Sequence, residues 1–141
     1  MARKTIPDIY CSQITIDRLT VYLASTEKGA FRVGLGLATS HHPVYFFKRL
    51  FPEARLIEGD SMNRPLARAV ETALHDRSCK LPIPMDVTLT PFQWEVLKAI
   101  AAIPFGHTRT YGAVASMMGR PLGARAIGQV MARNPLPIIF P

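Results

Sequence analysis

The sequence predicts a mixed α/β protein, an α+β arrangement in which a small antiparallel sheet is followed by helices. The first observation is a set of short segments, rich in β-branched and aromatic residues, within residues 14–37. The second is an apolar spacing typical of amphipathic helices in the rest of the chain. The third is the length of 141 residues, which is enough for one compact domain or for two small domains that share an interface.

The first part of the chain is predicted to form the sheet and two helices. The extended segments are residues 14–16, 19–24 and 31–37, with a further short strand at 54–57. A Gly-containing turn is expected at residues 25–29. The helical segments are residues 43–51, closed by Pro52, and residues 66–75.

A linker is predicted at residues 76–86, where polar residues precede the segment Leu-Pro-Ile-Pro at 81–84. Proline restricts the backbone and lacks an amide donor, so this segment favours a restrained extended connection. We therefore predict a first domain, including the linker, at residues 1–85 and a second domain at residues 86–141.

The second part is predicted to contain three helices. Thr90, Pro91 and Gln93 form a capping-box pattern that starts a helix ending near Ala102. The other two predicted helices are residues 111–118 and 123–132. Two short helices joined by a Gly-containing turn are typical of a helix-turn-helix, although an ordinary helical hairpin has the same pattern.

The charge distribution points to nucleic acid as the leading partner. The chain has 17 Lys and Arg against 10 Asp and Glu, a net charge of +7. From residue 98 onward there is no acidic residue. The basic and titratable residues of this segment are Lys98, His107, Arg109, Arg120, Arg125 and Arg133. A helical segment whose charged residues are all basic suits a polyanionic partner. The simpler alternative is that the charge only keeps the protein soluble.

Several other classes are disfavoured by the sequence. No apolar run reaches the length of a membrane span, and the first residues lack the apolar stretch of a secretory signal. We therefore expect a cytoplasmic, nucleoid-associated protein, or a nuclear one in a eukaryote, with no membrane partner. Cys11 and Cys79 fit no CxxC pattern and are expected to be reduced and unpaired. His41, His42 and His75 do not have a convincing spacing for a metal site with Cys11, so no metal is expected.

Four segments follow one another in the second part: TPFQ at 90–93, IPFGHTRTYG at 103–112, ARAIG at 124–128 and MARNPLPIIFP at 131–141. In this order they resemble the C-terminal domain of the O6-alkylguanine-DNA alkyltransferases. The resemblance runs from about residue 88 to residue 141, and the first part is similar to the family's ribonuclease-H-like domain only in broad pattern. It implies a winged helix-turn-helix domain that binds double-stranded DNA and flips O6-alkylguanine out of the stack. It also implies a monomer that transfers the alkyl group to its own cysteine without a cofactor.

The resemblance assigns the centre of the DNA interface to the last helix. Arg125 matches the arginine that enters the duplex and fills the space of the flipped base, a task for which a stacking, multiply donating guanidinium is suited. Ala124, Ala126 and Gly128 would let the helix approach the minor groove closely. The alternatives from the residues alone are a phosphate-binding or solvated arginine, and small residues that serve tight helix packing.

Other positions match the family's supporting residues. Tyr111 matches a tyrosine that contacts the phosphate of the target nucleotide, although a buried tyrosine is more often a core aromatic. Asn134 matches a hinge asparagine that ties the recognition helix to the active-site segment, although Asn before Pro is also an ordinary helix stop. Arg109 and Arg133 are predicted to contact phosphates.

The sequence departs from the family where the acceptor is expected. In the family, the motif Ile-Ile-Phe-Pro leads into Cys-His-Arg, so the acceptor Cys would follow Pro141. No catalytic residue is therefore predicted within these residues. Neither Cys11 nor Cys79 is expected to replace the acceptor, since a free thiol near its ordinary pKa is mostly protonated at neutral pH. The polypeptide should bind DNA without transferring an alkyl group.

Three interpretations remain open. The chain is an alkyltransferase cut short, a non-catalytic alkyltransferase-like damage sensor, or a helix-turn-helix regulator. A regulator needs side chains that read major-groove edges, which the small residues at 124–128 do not provide. We also expect residues 138–140 to form a strand with an exposed apolar end, which would lower stability or cause self-association.

Overall fold

The computed structural model describes residues 7–37, 41–75 and 83–141. The strands within these residues are β1 (Ile9–Ile16), β2 (Leu19–Thr26), β3 (Gly29–Leu37) and β4 (Leu56–Glu58). The helices are α1 (Pro43–Leu50), α2 (Arg64–His75, preceded by a 3-10 turn at Ser61–Asn63), α3 (Pro91–Ala101), α4 (Tyr111–Met117) and α5 (Ala124–Ala132). The predicted mixed α/β class is confirmed; the names ribonuclease-H-like and winged helix stay predictions.

The described strands form one sheet in the order β3-β2-β1-β4. The pairs β1–β2 and β2–β3 are antiparallel, whereas β4 runs parallel to β1. The turn predicted at 25–29 is present but shorter, because β2 continues to Thr26, β3 begins at Gly29 and the turn is only Glu27 and Lys28. Ser25 and Thr26 are buried, and the Thr26 hydroxyl donates to an Asp86 carboxylate oxygen at 2.6 Å. Burial and the contact with Asp86 thus extend β2 beyond the residues predicted for it.

Strand boundaries differ from the prediction in two further places. β1 begins at Ile9 rather than at residue 14, and the short strand predicted at 54–57 lies at Leu56–Glu58. The fourth strand is fixed by pairing Ile9 with Leu56 across the parallel ladder. Pairing of this kind joins residues far apart in sequence, so local patterns do not locate its ends.

One side of the sheet packs against α1. Phe46 of this helix stacks on Tyr22 with ring centroids 4.1 Å apart, and Phe47 is fully buried. Gly34 makes room for Phe46, since a Cβ there would lie 2.3 Å from the ring. The predicted amphipathic helix at 43–51 is therefore observed with its end one residue earlier.

The largest hydrophobic core crosses the predicted domain boundary. Its members before residue 86 include Val21, Leu23, Leu66 and Val70, and those after it include Leu97, Ile127, Leu136 and Phe140. Residues 84–86 are also attached to β3, because the Ala30 amide donates to the Pro84 carbonyl and the Asp86 amide donates to the Ala30 carbonyl. The boundary at 85/86 stays a prediction, and the linker residues 76–82 lie outside the described residues.

The segment after α5 folds back onto the helices. The predicted strand at 138–140 is wrong: residues 137–139 form a turn in which Ile138 has a φ of 76°. Ile139 and Phe140 are each only 1% exposed, and the Phe140 ring meets the Trp94 indole edge-on at 6.3 Å. The predicted exposed apolar end is therefore also wrong, because α3 and the core cover these side chains.

No helix in the described parts of the chain is long and apolar enough to cross a membrane.

Candidate nucleic-acid interface

The capping box predicted at the start of α3 is present. The Thr90 hydroxyl accepts from the Gln93 amide at 3.2 Å, and the Gln93 side-chain oxygen accepts from the Thr90 amide at 2.8 Å. These two bonds satisfy backbone donors that a helix otherwise leaves open. α3 then buries Val96, Leu97 and Ile100, and so supports the two helices after it.

Tyr111 is the first residue of α4 and lies against α5. The Thr110 hydroxyl caps α4 by accepting from the Ala113 amide at 3.0 Å. The Tyr111 side chain is 47% exposed, and a Cβ added to Gly128 would lie 3.3 Å from two atoms of its ring. Gly128 is therefore small at least partly because the tyrosine ring packs over it. This contact holds the ring in place while it leaves about half of the residue accessible.

The turn between α4 and α5 is closed by backbone hydrogen bonds. Gly119 adopts a φ of +73°, and the Arg120 amide donates to the Ala115 carbonyl at 2.8 Å while the Gly119 amide donates to the Ser116 carbonyl at 3.0 Å. This pair of bonds defines a Schellman end, for which glycine is the favoured residue. The turn closes on the N-terminal side of α5 with a bond from the Gly123 amide to the Arg120 carbonyl at 2.9 Å.

Arg120 anchors this turn to α3. Its guanidinium lies 5.1 Å from the centre of the Phe92 ring and 3.7 Å from a Glu95 carboxylate oxygen. Both charged side chains are more than half exposed, so the ion pair contributes little on its own. The cation–π contact adds to the same attachment. The side chain of Arg120 is thus engaged within the protein.

α5 has a buried side and an outward side. Ile127 and Val130 are in the core, whereas Arg125, Ala126 and Gln129 are exposed. Ala124 is half-buried at the start of the helix, so only part of the small surface predicted there is accessible. Arg125 has no side-chain hydrogen bond or ion pair to any residue that the structure describes. The outward side thus presents a long basic side chain above small neighbours.

Asn134 joins the end of α5 to residues 136–140. Its side-chain nitrogen donates to the Phe140 carbonyl at 2.7 Å, and its side-chain oxygen accepts from the Leu136 amide at 3.0 Å. The same region is also tied to the sheet, because the Val33 amide donates to the Pro135 carbonyl at 2.9 Å. Asn134 is therefore more than a helix stop, since it fixes residues 136–140 relative to α5.

The two other predicted phosphate contacts are accessible. Arg109 is exposed ahead of α4, and its guanidinium donates to the neighbouring Thr108 carbonyl at 2.9 Å. Arg133 is exposed at the C-terminal cap of α5. Arg109, Arg125 and Arg133 lie before α4, at the start of α5 and at its end, so the two helices carry positive charge at several points.

Cys11 is chemically protected, and Cys79 lies outside the described residues. The Cys11 side chain is fully buried in β1, and its thiol donates to the Ile9 carbonyl at 3.7 Å. Burial raises the pKa of this thiol to about 11. Because the thiolate is the reactive form, Cys11 is a poor nucleophile near neutral pH. Among the described residues, no group of three His, Cys, Asp or Glu side chains is placed to hold a metal ion.

Two exposed residues near Arg125 are not identified by reasoning from the sequence. Gln129 lies four positions after Arg125, on the same side of α5, and Leu122 is 98% exposed in the preceding turn. The i, i+4 spacing from Arg125 is a signal that could have found Gln129. Leu122 has no comparable signal, because an apolar residue between Pro and Gly is usually treated as part of the turn.

Comparison with known proteins relates the segment that holds α3, α4 and α5 to one family. Residues 91–141 match the family model described as 6-O-methylguanine DNA methyltransferase, DNA binding domain. The chain is 29% identical over 135 residues to the inducible methylated-DNA–protein-cysteine methyltransferase of Bacillus subtilis, covering 96% of this chain and 75% of that protein. It is 35% identical over 119 residues to the bifunctional transcriptional activator/DNA repair enzyme Ada of Escherichia coli, covering 84% of this chain and 33% of that protein.

The fold agrees with a solved structure. OGT of Mycobacterium tuberculosis, crystallised in complex with DNA, superposes with a TM-score of 0.69 at 23% identity, covering 94% of this chain and 75% of that chain. The sheet, the capped helices and the matched residues 91–141 define a mixed α/β protein with a DNA-binding helical segment. Residues 91–141 thus match the DNA-binding domain of the 6-O-methylguanine DNA methyltransferases, and nearly the whole chain is similar to a methylated-DNA–protein-cysteine methyltransferase.

Proposed function

We propose that this chain recognises O6-alkylguanine in double-stranded DNA and turns the damaged base out of the stack, acting as a monomer. The observation that carries the proposal is the outward side of α5. There, Arg125 is exposed and free of side-chain partners among the described residues, next to Ala126 and close to Gly128. A surface of this kind lets the helix backbone approach a groove while one long side chain enters it.

Arg125 would fill the space that the flipped base leaves. Its planar guanidinium can stack between bases and donate several hydrogen bonds, which a lysine ammonium cannot do in the same way. Replacing lost stacking lowers the cost of base flipping, which is a few kcal/mol. The buried residues Ile127 and Val130 on the opposite side of the helix hold α5 so that Arg125 stays directed outward.

Tyr111 and the two flanking arginines would hold the DNA backbone. The hydroxyl of Tyr111 is a suitable donor for the phosphate of the target nucleotide, and packing against Gly128 keeps its ring oriented. Arg109 and Arg133 would neutralise neighbouring phosphates. Asn134 would transmit the position of α5 to residues 136–140, after which the family places its Cys-His-Arg motif.

Residues 1–141 by themselves are proposed to bind DNA without accepting an alkyl group. Transfer requires a thiolate to attack the alkyl carbon while the carbon–oxygen bond to guanine breaks. Cys11 does not meet this requirement, because it is buried and protonated at neutral pH. A radiolabelled methyl group on DNA should therefore stay on the DNA, and Cys79→Ser should not change that result.

The proposal is tested by measuring the affinity of the chain for matched duplexes with guanine or O6-methylguanine. Wild type should prefer the damaged duplex. Arg125→Ala should weaken binding to it by about tenfold or more, equivalent to at least about 1.4 kcal/mol. Arg109→Ala should cause a smaller loss of affinity. It should also reduce the salt dependence of binding by about the contribution of one phosphate contact.

Arg68→Ala is the matched control, because Arg68 is an exposed arginine on α2. It should leave the affinity unchanged. Equal losses for Arg125→Ala and Arg109→Ala would contradict the assignment of Arg125. A longer form of the protein that carries Cys-His-Arg after residue 141 can be tested in the same way. If it prefers the damaged duplex but transfers no alkyl group, the result would instead support a damage sensor. Binding that depends on sequence and ignores the lesion would support a regulator.

A further inference from the structure

We propose that Gln129 reads the minor-groove edge of a guanine about two base pairs from the damaged position. The proposal rests on the proposed function, because it assumes that Arg125 enters the duplex at the lesion. It adds a specificity-determining residue to an interface otherwise made of an intruding arginine and phosphate contacts. The consequence is a dependence of affinity on neighbouring sequence.

The position of Gln129 is set by the helix. Gln129 follows Arg125 by four positions, and both residues are exposed. Ile127, which lies between them, and Val130, which follows Gln129, are buried. Four residues of α-helix advance by about 6 Å. Successive nucleotides of a DNA strand advance by about 3.4 Å. A helix that runs along the groove therefore places Gln129 about two base pairs from the site that Arg125 enters.

The neighbours of Gln129 leave it free to reach the DNA. Ala126 and Ala132 are exposed and small, and Gly128 has no side chain. Between Gly123 and Arg133, Arg125 and Gln129 are the two exposed residues with long side chains. Gln129 makes no side-chain hydrogen bond to any residue in the described ranges, so its amide is available to a ligand.

The amide of glutamine matches a specific feature of guanine. It carries one acceptor and two donors. In the minor groove, a G·C pair adds the guanine N2 donor to the acceptors that every pair presents. The Gln129 oxygen can accept from guanine N2 while its nitrogen donates to the adjacent N3, which gives two bonds to one base. An A·T pair offers only acceptors at this edge, so it loses the first of these bonds.

A phosphate contact is the less favoured role for this side chain. Glutamine is neutral and so releases no counterion when it meets a phosphate, whereas the neighbouring arginines do. The two roles also respond differently to substitution. Gln129→Lys should raise affinity for every duplex if residue 129 faces a phosphate, and should abolish sequence dependence if it faces a base edge.

The experiment is an inosine scan with the 141-residue chain. Duplexes contain O6-methylguanine and a single G·C pair placed one, two or three steps away on either side, and each guanine is replaced in turn by inosine. Inosine lacks only the N2 amino group, so the major groove is unchanged. For wild type, one position near two steps should lose about fivefold in affinity, the value of one hydrogen bond of about 1 kcal/mol.

Gln129→Ala loses both hydrogen bonds, so it should bind the lesion duplex that keeps guanine at that position about 25-fold more weakly and should be indifferent to inosine there. Alanine favours helix, so the variant should remain folded, as a thermal melt will check. Glu71→Ala, a change at an exposed residue of α2, is the control and should keep the wild-type inosine response.

The outcomes separate the two proposals. If wild type does not distinguish O6-methylguanine from guanine, the proposed function fails. If wild type prefers the lesion but no inosine position weakens binding, or if Gln129→Ala retains the inosine effect, the role of Gln129 is overturned. A uniform loss for Gln129→Ala across all duplexes would also overturn it.

Discussion

The turn between α4 and α5 and the outward side of α5 are adjacent in sequence but are built in opposite ways. In the turn, Arg120 contacts Phe92 and Glu95, and the backbone is closed by hydrogen bonds to Ala115 and Ser116. On α5, Arg125 has no such partner among the described residues. Arg120 and Arg125 carry the same charge, but among the described residues only the Arg120 side chain already has partners.

The difference shows how a rigid surface and a free side chain support each other. The contacts of Arg120 and the Schellman end fix where α5 begins, and Asn134 fixes residues 136–140 beyond its end. α5 is thereby held at both ends, so the protein sets the position from which Arg125 extends before DNA arrives. Pre-organisation of this kind reduces the entropy lost on binding. Substitutions at the two ends should change stability, and substitutions on the outward side should change binding.

The largest expected effect on stability is at Asn134. Asn134→Ala removes both hydrogen bonds and leaves the Phe140 carbonyl and the Leu136 amide without their partner. We expect the free energy of unfolding to fall by at least about 2 kcal/mol, because each of the two unsatisfied groups costs about 1–3 kcal/mol. Urea denaturation followed by tryptophan fluorescence measures this through Trp94, which contacts Phe140.

Arg133→Ala is the control, since Arg133 is the exposed neighbour of Asn134. It should change the free energy of unfolding by less than about 0.5 kcal/mol, as surface substitutions usually do. An Asn134→Ala protein as stable as the Arg133→Ala protein would show that residues 136–140 are held by hydrophobic packing alone.

A smaller effect with an opposite sign is expected at Gly128. Alanine is favoured over glycine in a helix by about 1 kcal/mol, but its Cβ would lie 3.3 Å from the Tyr111 ring. Tyr111 is about half exposed, so the ring can move by the small amount required. We expect Gly128→Ala to raise stability by up to about 1 kcal/mol and to weaken DNA binding, because Tyr111 is displaced. Higher affinity in this variant would contradict the placement of Tyr111 at the DNA backbone.

Much of the helical part is accessible from sequence because its signals are local. The sequence predicts the capping box at Thr90 and the buried positions Val96 and Ile100. It also predicts the helix ends near residues 118 and 132 to within about one helical turn. The strand at Leu56–Glu58 and the length of β1 are placed less well, since they depend on pairing between distant segments. The strand predicted at 138–140 is wrong because a tertiary contact network, not β propensity, determines that segment.

The residues of the candidate site also differ in how well the sequence identifies them. The resemblance supplies Arg125, Tyr111 and Asn134, whose roles stay predictions until DNA binding is measured. Sequence does not reveal which basic residues are already engaged. Arg120 counts with the other positive charges, and only the contacts with Phe92 and Glu95 separate it from Arg125. A search for charged residues does not identify Gln129, because its side chain is neutral.

Arg120 provides the smallest expected change in DNA affinity and the most discriminating test of the comparison. Arg120→Ala removes an exposed ion pair and a cation–π contact, which together contribute about 0.5–1.5 kcal/mol. We expect the free energy of unfolding to fall within that range, and DNA affinity to fall by less than about threefold, because the charge is already engaged with Glu95. Glu95→Gln is the matched partner variant: it should reproduce part of the stability loss and should leave Arg120 free to contact phosphate. If Arg120→Ala weakens DNA binding as much as Arg125→Ala does, the distinction between the anchored turn and the free side of α5 is wrong, and charge alone would account for the interface.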